Sequence, residues 1–354
     1  MNNFTPRIIK PCRNTAKSPK LKISRCIKNY KKGVETSLFL DLNILSKMRE
    51  VVDTKIVNYS NSGLMGLVKI LNSLPALYLS PGFAISEVRQ DYLESLMVAY
   101  ENFLEKYCPG YVDAHNATKN YKNIKEKPLK FEDFDKSEKY FNSVAYLGIL
   151  RVQILDRKGL GDPCYKYESY LSYMMDKANM VGVIESEVAK YVFSDIKSIS
   201  DQKFRAFSSM IKDNFKKGGN NSENVLINCL NSARDIMYYR ATADRSNEYF
   251  DGKLQDTWLV TADAGLWKLS ESIHFVPNVE GCDSKYVTFV RNKEQKKSLY
   301  WNYCDQITIS NLDFRKLVRE LSGHNYSFGD SDLDYLLDCI SESEDELLAV
   351  VNSQ

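Results

Sequence analysis

The sequence predicts an α/β fold: a parallel sheet flanked by helices, with a large helical insertion and a C-terminal helical extension. Three observations carry that prediction. Short apolar runs of strand length near 37–41, 76–80 and 257–261 each pass directly into a stretch with helical spacing. Between the second and third, residues 101–220 show helical periodicity and no strand. Only 16 Gly and 9 Pro occur in 354 residues, which favours long regular elements over a loop-rich all-β fold.

The first strand, Ser37-Leu-Phe-Leu-Asp41, ends abruptly in a carboxylate. From there Leu42, Leu45, Met48 and Val52 recur at helical spacing, so Asp41 is expected at the tip of a strand that turns sharply into a helix. The second strand is Ala76-Leu-Tyr-Leu-Ser80. Ser80 suits an N-cap and Pro81 a first helical position. The helix after it is expected to bury Ile85, Val88, Tyr92, Leu96 and Phe103, and to carry Glu87, Asp91 and Glu94 on one acidic face. Helices are expected over 131–156, 164–193 and 202–217, closed by the loop signal Gly218-Gly-Asn-Asn221. Ser222 then opens a helix with Leu226, Leu230, Ala233 and Met237 as its buried stripe and Asp235 on a neighbouring polar face. Thr257-Trp-Leu-Val-Thr261 is the next strand, and Asp263 precedes a helix running through Leu269. Short strands are expected at 273–276, 286–290 and 307–310, and helices near 313–322 and 331–350.

The expected organisation is a basic, disordered arm over 1–35 and a sheet-bearing domain over 36–100 and 222–312. The insertion spans 101–221 and the extension 313–354. Right-handed crossovers place the C-terminal end of each parallel strand on one edge, where ligands bind in such sheets.

The formal net charge of +2 hides an asymmetry. Residues 1–34 hold ten Lys/Arg and no acid, leaving 38 bases against 46 acids in the remainder. Such an arm either tracks phosphates or is simply solvated. Asp330 to Glu346 holds eight acids and no base, and is expected to fold back on the arm or to aid solubility. The eight cysteines form no CxxC pair and only three His are present, which argues against zinc and for free thiols in a reducing cytoplasm. No apolar run approaches the roughly 20 residues that span a bilayer, so no membrane association is expected.

The chemistry lies in four acids. Asp41 and Asp263 fall at or just past strand ends, and Glu87 and Asp235 on helices that can flank the same crevice. Gathered carboxylates repel one another until a divalent cation resolves the repulsion, and hard oxygen ligands suit Mg2+ or Mn2+. Taken singly, each acid has an ordinary reading as a helix cap, an Asx turn or a solvated helix residue. Only the set rises above that.

Phe39-Leu-Asp41-Leu-Asn43-Ile-Leu45 resembles the opening motif of the PIN-like nuclease family. Leu259-Val-Thr261-Ala-Asp263-Ala-Gly-Leu266 resembles its late motif, a strand running into Thr-x-Asp. Ser80-Pro-Gly-Phe-Ala-Ile-Ser-Glu87 and Asn231-Ser-Ala-Arg-Asp235 resemble its second and third acidic elements. The likeness covers roughly 36–100 and 222–280, with the first and last motifs the more specific. It implies a PIN-like (Rossmannoid) fold and a metal-dependent nuclease, with RNA the expected nucleic acid ahead of DNA. Asp41, Glu87, Asp235 and Asp263 would be ligands to Mg2+ or Mn2+, supported by hydrogen bonds from Asn43 and Thr261. Hydrolysis would leave a 5′-phosphate and a 3′-hydroxyl. Asp91 or Asp244 stand in for the helical acids if the helix phases differ.

The chain departs from a compact PIN domain in its insertion, which would act as a cap or as a platform for a protein partner. A second reading is a catalytically silent PIN-like scaffold that binds RNA or protein through that insertion. A phosphatase using Asp41 as nucleophile is disfavoured, because the acid expected two residues later is Asn43. Tyr140, Tyr146, Tyr165, Tyr167, Tyr170 and Tyr173 suggest packing before base stacking.

Overall fold

The computed structural model describes residues 4–53, 59–73, 77–85, 87–88, 90–111, 130–216, 222–250, 252–277, 285–322 and 329–353. In chain order the elements begin β1 (Arg7–Ile9), α1 (Ile23–Lys31), β2 (Val34–Leu40), α2 (Leu42–Asp53), α3 (Met65–Asn72), β3 (Leu77–Ser80), α4 (Gly82–Ile85) and α5 (Gln90–Tyr107). They continue α6 (Lys136–Lys158), α7 (Pro163–Ser172), α8 (Val183–Phe193), α9 (Gln202–Phe215), α10 (Ser222–Arg245), β4 (Tyr249–Phe250) and β5 (Lys253–Thr261). The last are α11 (Ala264–Ser272), β6 (Ile273–Val276), β7 (Tyr286–Phe289), α12 (Lys293–Lys297), α13 (Leu299–Ser322) and α14 (Asp330–Asn352).

The chain divides into two compact units, one comprising residues 1–129, 238–263 and 274–288, the other 130–237, 264–273 and 289–354. The first carries the main sheet, ordered β1-β5-β2-β3 with β4 also on β5. Its centre is parallel: β2 pairs with β3 (Phe39 opposite Ser80) and with β5 (Leu40 opposite Val260). The outer pairings of β1 and β4 with β5 are antiparallel, so the sheet is mixed rather than wholly parallel. Leu38, Leu40, Leu79, Trp258 and Val260 pack one face of the sheet against α2, α3 and α5. Over the other face α10 is held by Thr257, whose hydroxyl donates to the Thr242 carbonyl at 2.5 Å.

The basic arm expected to be disordered is part of this unit. β1 lies antiparallel to β5, with Arg7 opposite Thr261 and Ile9 opposite Leu259. The reason is a countercharge inside a strand. Asp256, buried in β5, accepts from Lys10 at 2.6 Å, from Arg25 at 2.8 and 3.0 Å and from Asn29 at 2.7 Å. The Trp258 indole N–H donates to it as well, at 3.2 Å. Ile8 and Ile9 supply the apolar surface, and Lys10 and Arg25 are countered by Asp256.

The second unit is helical. The expected insertion from residue 130 onward and the C-terminal extension form one body in it, joined by α11 and by residues 222–237 of α10, while residues 101–129 of the expected insertion belong to the sheet-bearing unit. The acids of α14 pair with the insertion, not with the N-terminal arm. Glu346 accepts from Arg151 and Lys158, Glu342 pairs with Lys177, Asp330 takes Lys136 at 2.7 Å, and Tyr146 donates to Glu344 at 2.6 Å. α8 is buried on all sides and contains Glu187 and Lys190. Both are paired: Arg291 donates to Glu187 at 2.6 and 2.7 Å, and Lys190 to Asp305 at 2.7 Å.

Two further expectations fail. Ile307 to Ser310 is not a strand but the middle of α13, where Trp301, Cys304 and Thr308 are buried at helical spacing. The helix after Pro81 is not continuous. α4 ends at Ile85, where bonds from Glu87 N to Ala84 O (3.2 Å) and Val88 N to Ile85 O (3.3 Å) tighten the chain. α5 begins afresh at Gln90, burying Leu93, Leu96 and Met97 and leaving Tyr92 exposed. Of the six tyrosines singled out in the middle region, Tyr146, Tyr167 and Tyr170 are buried, and Tyr140 and Tyr165 are exposed.

Candidate metal centre

The strands β2 and β5 run side by side in one direction, so their C-terminal tips meet at one edge of the sheet. Asp41 is the first residue past β2. Its N–H still donates to the Val260 carbonyl at 3.0 Å, and its own carbonyl accepts the Ile44 N–H at 3.0 Å as α2 begins. Strand and helix together fix its backbone. Its side chain is only 6% exposed.

The Asp41 carboxylate is held by its neighbours. Oδ2 accepts from the Thr261 hydroxyl and from Asn43 Nδ2, each at 2.5 Å. The Asn43 side-chain Oδ1 accepts the Ala262 N–H at 2.9 Å, which clips the start of α2 to the end of β5. The Thr261 hydroxyl also accepts the Asp263 N–H at 2.9 Å and is approached by Asn43 Nδ2 at 3.3 Å. One donor and two acceptor positions exhaust what a hydroxyl offers. The network sets the turn that carries Asp263.

Burial pushes the Asp41 carboxyl above the ordinary carboxylate range and the Asp263 charge pushes it further, against donors from Thr261, Leu42 and Asn43. Among the described residues no basic side chain forms an ion pair with Asp41. A buried carboxylate with a second carboxylate for company is short of positive charge.

The other two expected ligands are carried by other elements. Glu87 lies in the turn between α4 and α5, so Glu87, Asp91 and Glu94 do not share one continuous helical face, and the Asp91 side chain falls outside the described residues. Asp235 belongs to the helical unit, where Asn214 Nδ2 lies 3.4 Å from its carboxylate. In that unit Gly265 has no room for a side chain, since a Cβ there would meet Asn214 Cβ at 2.3 Å and the Met210 carbonyl at 2.6 Å. That accounts for the glycine of Asp263-Ala-Gly by packing. Asp244 is on α10 in the sheet-bearing unit, its carboxyl pushed up by burial and drawn down by Lys285 and Arg240.

Among the described residues no group of three or more His, Cys, Asp or Glu is assembled to hold a metal ion. Of the expected ligands, Asp41 and Asp263 are the pair close enough for one charge to act on the other. Mg2+ is typically held by one or two carboxylates, with waters and substrate phosphate oxygens completing the octahedron. Asp41 and Asp263 are the two carboxylates here that could serve such an ion.

Arg7 was not singled out in the sequence. Its guanidinium Nη1 donates to the Ala262 carbonyl at 3.2 Å, one residue from Asp263. The signal was present: Arg7-Ile-Ile reads as a short strand, but it lies inside a run of cations. Thr261→Val preserves shape and strand propensity while removing the donor to Asp41 and the acceptor for the Asp263 N–H. Divalent-ion affinity is expected to fall about 10–100-fold by titration calorimetry, the usual range for lost outer-shell partners.

Compared with protein-family models, curated proteins and solved structures, the chain matches none. Among the described residues no helix is long and apolar enough to cross a membrane.

Proposed function

We propose that this chain is a metal-dependent nuclease of PIN-like type, with RNA as its expected substrate, and that Asp41 and Asp263 form the core of its centre for Mg2+ or Mn2+. The observation that carries the reading is a buried Asp41, without a basic partner among the described residues, beside Asp263 at the meeting tips of two parallel strands. A buried carboxyl placed beside a second acid is costly to ionise unless something positive is bound. When bound, such a cation supplies Lewis acidity at a phosphodiester.

The chain's own residues do the rest. Thr261 and Asn43 hold the Asp41 carboxylate in one orientation, and Thr261 fixes the approach of Asp263. Arg7, at the same edge, braces the turn before Asp263 by donating to the Ala262 carbonyl. Glu87 and Asp235, which the family resemblance assigns as further ligands, are tested by Glu87→Gln and Asp235→Asn.

The test is cleavage of single-stranded RNA and single-stranded DNA with Mn2+, with Mg2+ and with EDTA. Cleavage that requires the metal and prefers RNA is expected. Activity that survives the chelator overturns the reading. So does calorimetry showing no divalent-ion binding near millimolar concentration, which would favour a silent scaffold.

A further inference from the structure

The sheet face opposite the apolar core bears a hollow of about 300 Å³, lined from β2 by Ser37 and Phe39, from β3 by Tyr78 and Ser80, and closed by Arg245 and Phe250. That volume is at the lower end for small-ligand sites, large enough for one planar group and its attachment but not for a length of folded chain. Its chemistry is mixed in an instructive way. Phe250 is 56% exposed although it is a large apolar ring. The Arg245 guanidinium lies 5.4 Å from the ring centre of Phe39 and 5.6 Å from that of Phe250, and among the described residues it has no carboxylate partner.

The remaining charges in the hollow are already matched, since Lys253 pairs with Glu35 at 3.3 Å. Arg245 is therefore one surplus positive charge next to an open aromatic face. Ser37 donates to the Gln255 side-chain oxygen at 2.9 Å, so the floor is ordered and polar. Behind it Phe39 stacks on Phe83 (4.9 Å between ring centres) and Phe83 on Tyr238 (4.6 Å), a column that braces the wall.

We propose that this hollow binds one nucleotide of a single-stranded nucleic acid, with the base stacked on Phe250 and a phosphate on Arg245. A lipid tail would leave the charge unused, and a bare anion would leave the ring unused. The nucleotide uses both. The placement agrees with the proposed centre, on which the inference rests for the identity of the strand. Phe39 precedes Asp41 by two residues on β2, a step of about 6.6 Å along a strand. A chain seated in the hollow can thus continue toward the edge where Asp41 lies.

The test uses the full chain in EDTA, so that binding is read without cleavage. The probes are a single-stranded uridine octanucleotide, uridine monophosphate and inorganic phosphate, followed by calorimetry. The octanucleotide is expected to bind, the monophosphate more weakly, and phosphate not measurably. Phe250→Ala should weaken octanucleotide binding roughly 10-fold, with Phe250→Trp restoring it. Arg245→Met, which keeps the apolar stem, should weaken it similarly and reduce the salt slope by about one.

Unchanged affinity in Phe250→Ala and Arg245→Met overturns the proposal. Phosphate competing as well as the monophosphate also overturns it, and monophosphate binding as tight as the octanucleotide overturns the strand assignment. The two readings fail separately. If these variants bind worse but the wild type never cleaves with Mn2+, the pocket stands and the nuclease reading falls. If Mn2+-dependent cleavage is present and both variants bind like the wild type, the nuclease reading stands and the pocket falls.

Discussion

Asp41→Asn is expected to give a protein that no longer cleaves nucleic acid with Mn2+ and yet, in chelator at neutral pH, unfolds at a higher temperature than the wild type. Loss of a carboxylate that holds a Lewis-acidic ion removes several kcal/mol of transition-state stabilisation, so turnover should drop on the order of 1,000-fold. The stability gain follows from the raised pKa. Burial and the Asp263 charge disfavour the Asp41 anion in the folded state relative to the unfolded chain. A group whose folded pKa is raised adds stability that is fully present below the unfolded pKa and lost as pH rises through the folded one. At neutral pH the metal-free wild type therefore carries a penalty that an amide does not.

The expected result is a higher Tm for the variant at neutral pH, a difference that should vanish near pH 4. Mn2+ at about 100 times its Kd should stabilise the wild type by roughly 2.7 kcal/mol and the variant by much less. Melts in EDTA and in Mn2+ at several pH values check this. A variant that is less stable than the wild type in EDTA at pH 7 would refute the account of an uncompensated buried charge.

The second large effect is structural. Asp256→Ala leaves Lys10, which is 3% exposed, with an unpaired ammonium in the interior, and it also releases Arg25 and Asn29. Breaking a buried pair on one side costs about 3–5 kcal/mol, so the Tm should fall by roughly 10 °C or more. β1 should come off the sheet and become open to trypsin at Lys10 and Arg13. Joint replacement by apolar residues, Lys10→Met with Asp256→Leu, should recover most of the loss, since such swaps are often neutral.

The pH behaviour has the opposite sign to that of Asp41. Burial alone would raise the Asp256 carboxyl, but Lys10 and Arg25 outweigh it and hold the group below the usual carboxylate range. Its contribution is present above the unfolded pKa near 4 and is lost as pH falls through the lower folded value. Urea midpoints for Asp256→Ala within about 1 kcal/mol of the wild type would show that the cluster does not anchor the segment.

Much of the centre is legible in the amino-acid sequence. Leu38-Phe-Leu followed by Asp41 and a helical repeat is a local signal, complete within a dozen residues, and so is Thr261 two positions before Asp263. The arm is not local. What seats Lys10 and Arg25 is Asp256, and the pairing of cations with an acid more than 200 residues away leaves no periodic trace. The four residues at 307–310 fail for another reason. Ile-Thr-Ile-Ser has β-branched residues in a short apolar run, which periodicity cannot assign, and only the burial of Trp301, Cys304 and Thr308 along one stripe decides for helix. Glu87 lies in the turn between α4 and α5, flanked by buried Ala84 and Val88, where the sequence pattern reads as one helix.

The order β1-β5-β2-β3 also has a consequence for synthesis. β2 and β3 leave the ribosome well ahead of β5, and the strand that must lie between β2 and β1 is made only after roughly 170 further residues, on the order of 10–30 s at ordinary elongation rates. Until then β2 presents an open hydrogen-bonding side, a template for mispairing that a chaperone would need to shield. The same delay has a protective side. No nascent or truncated product ending before residue 263 can possess both Asp41 and Asp263, so the activity proposed for that pair would be withheld until the late strand has been made.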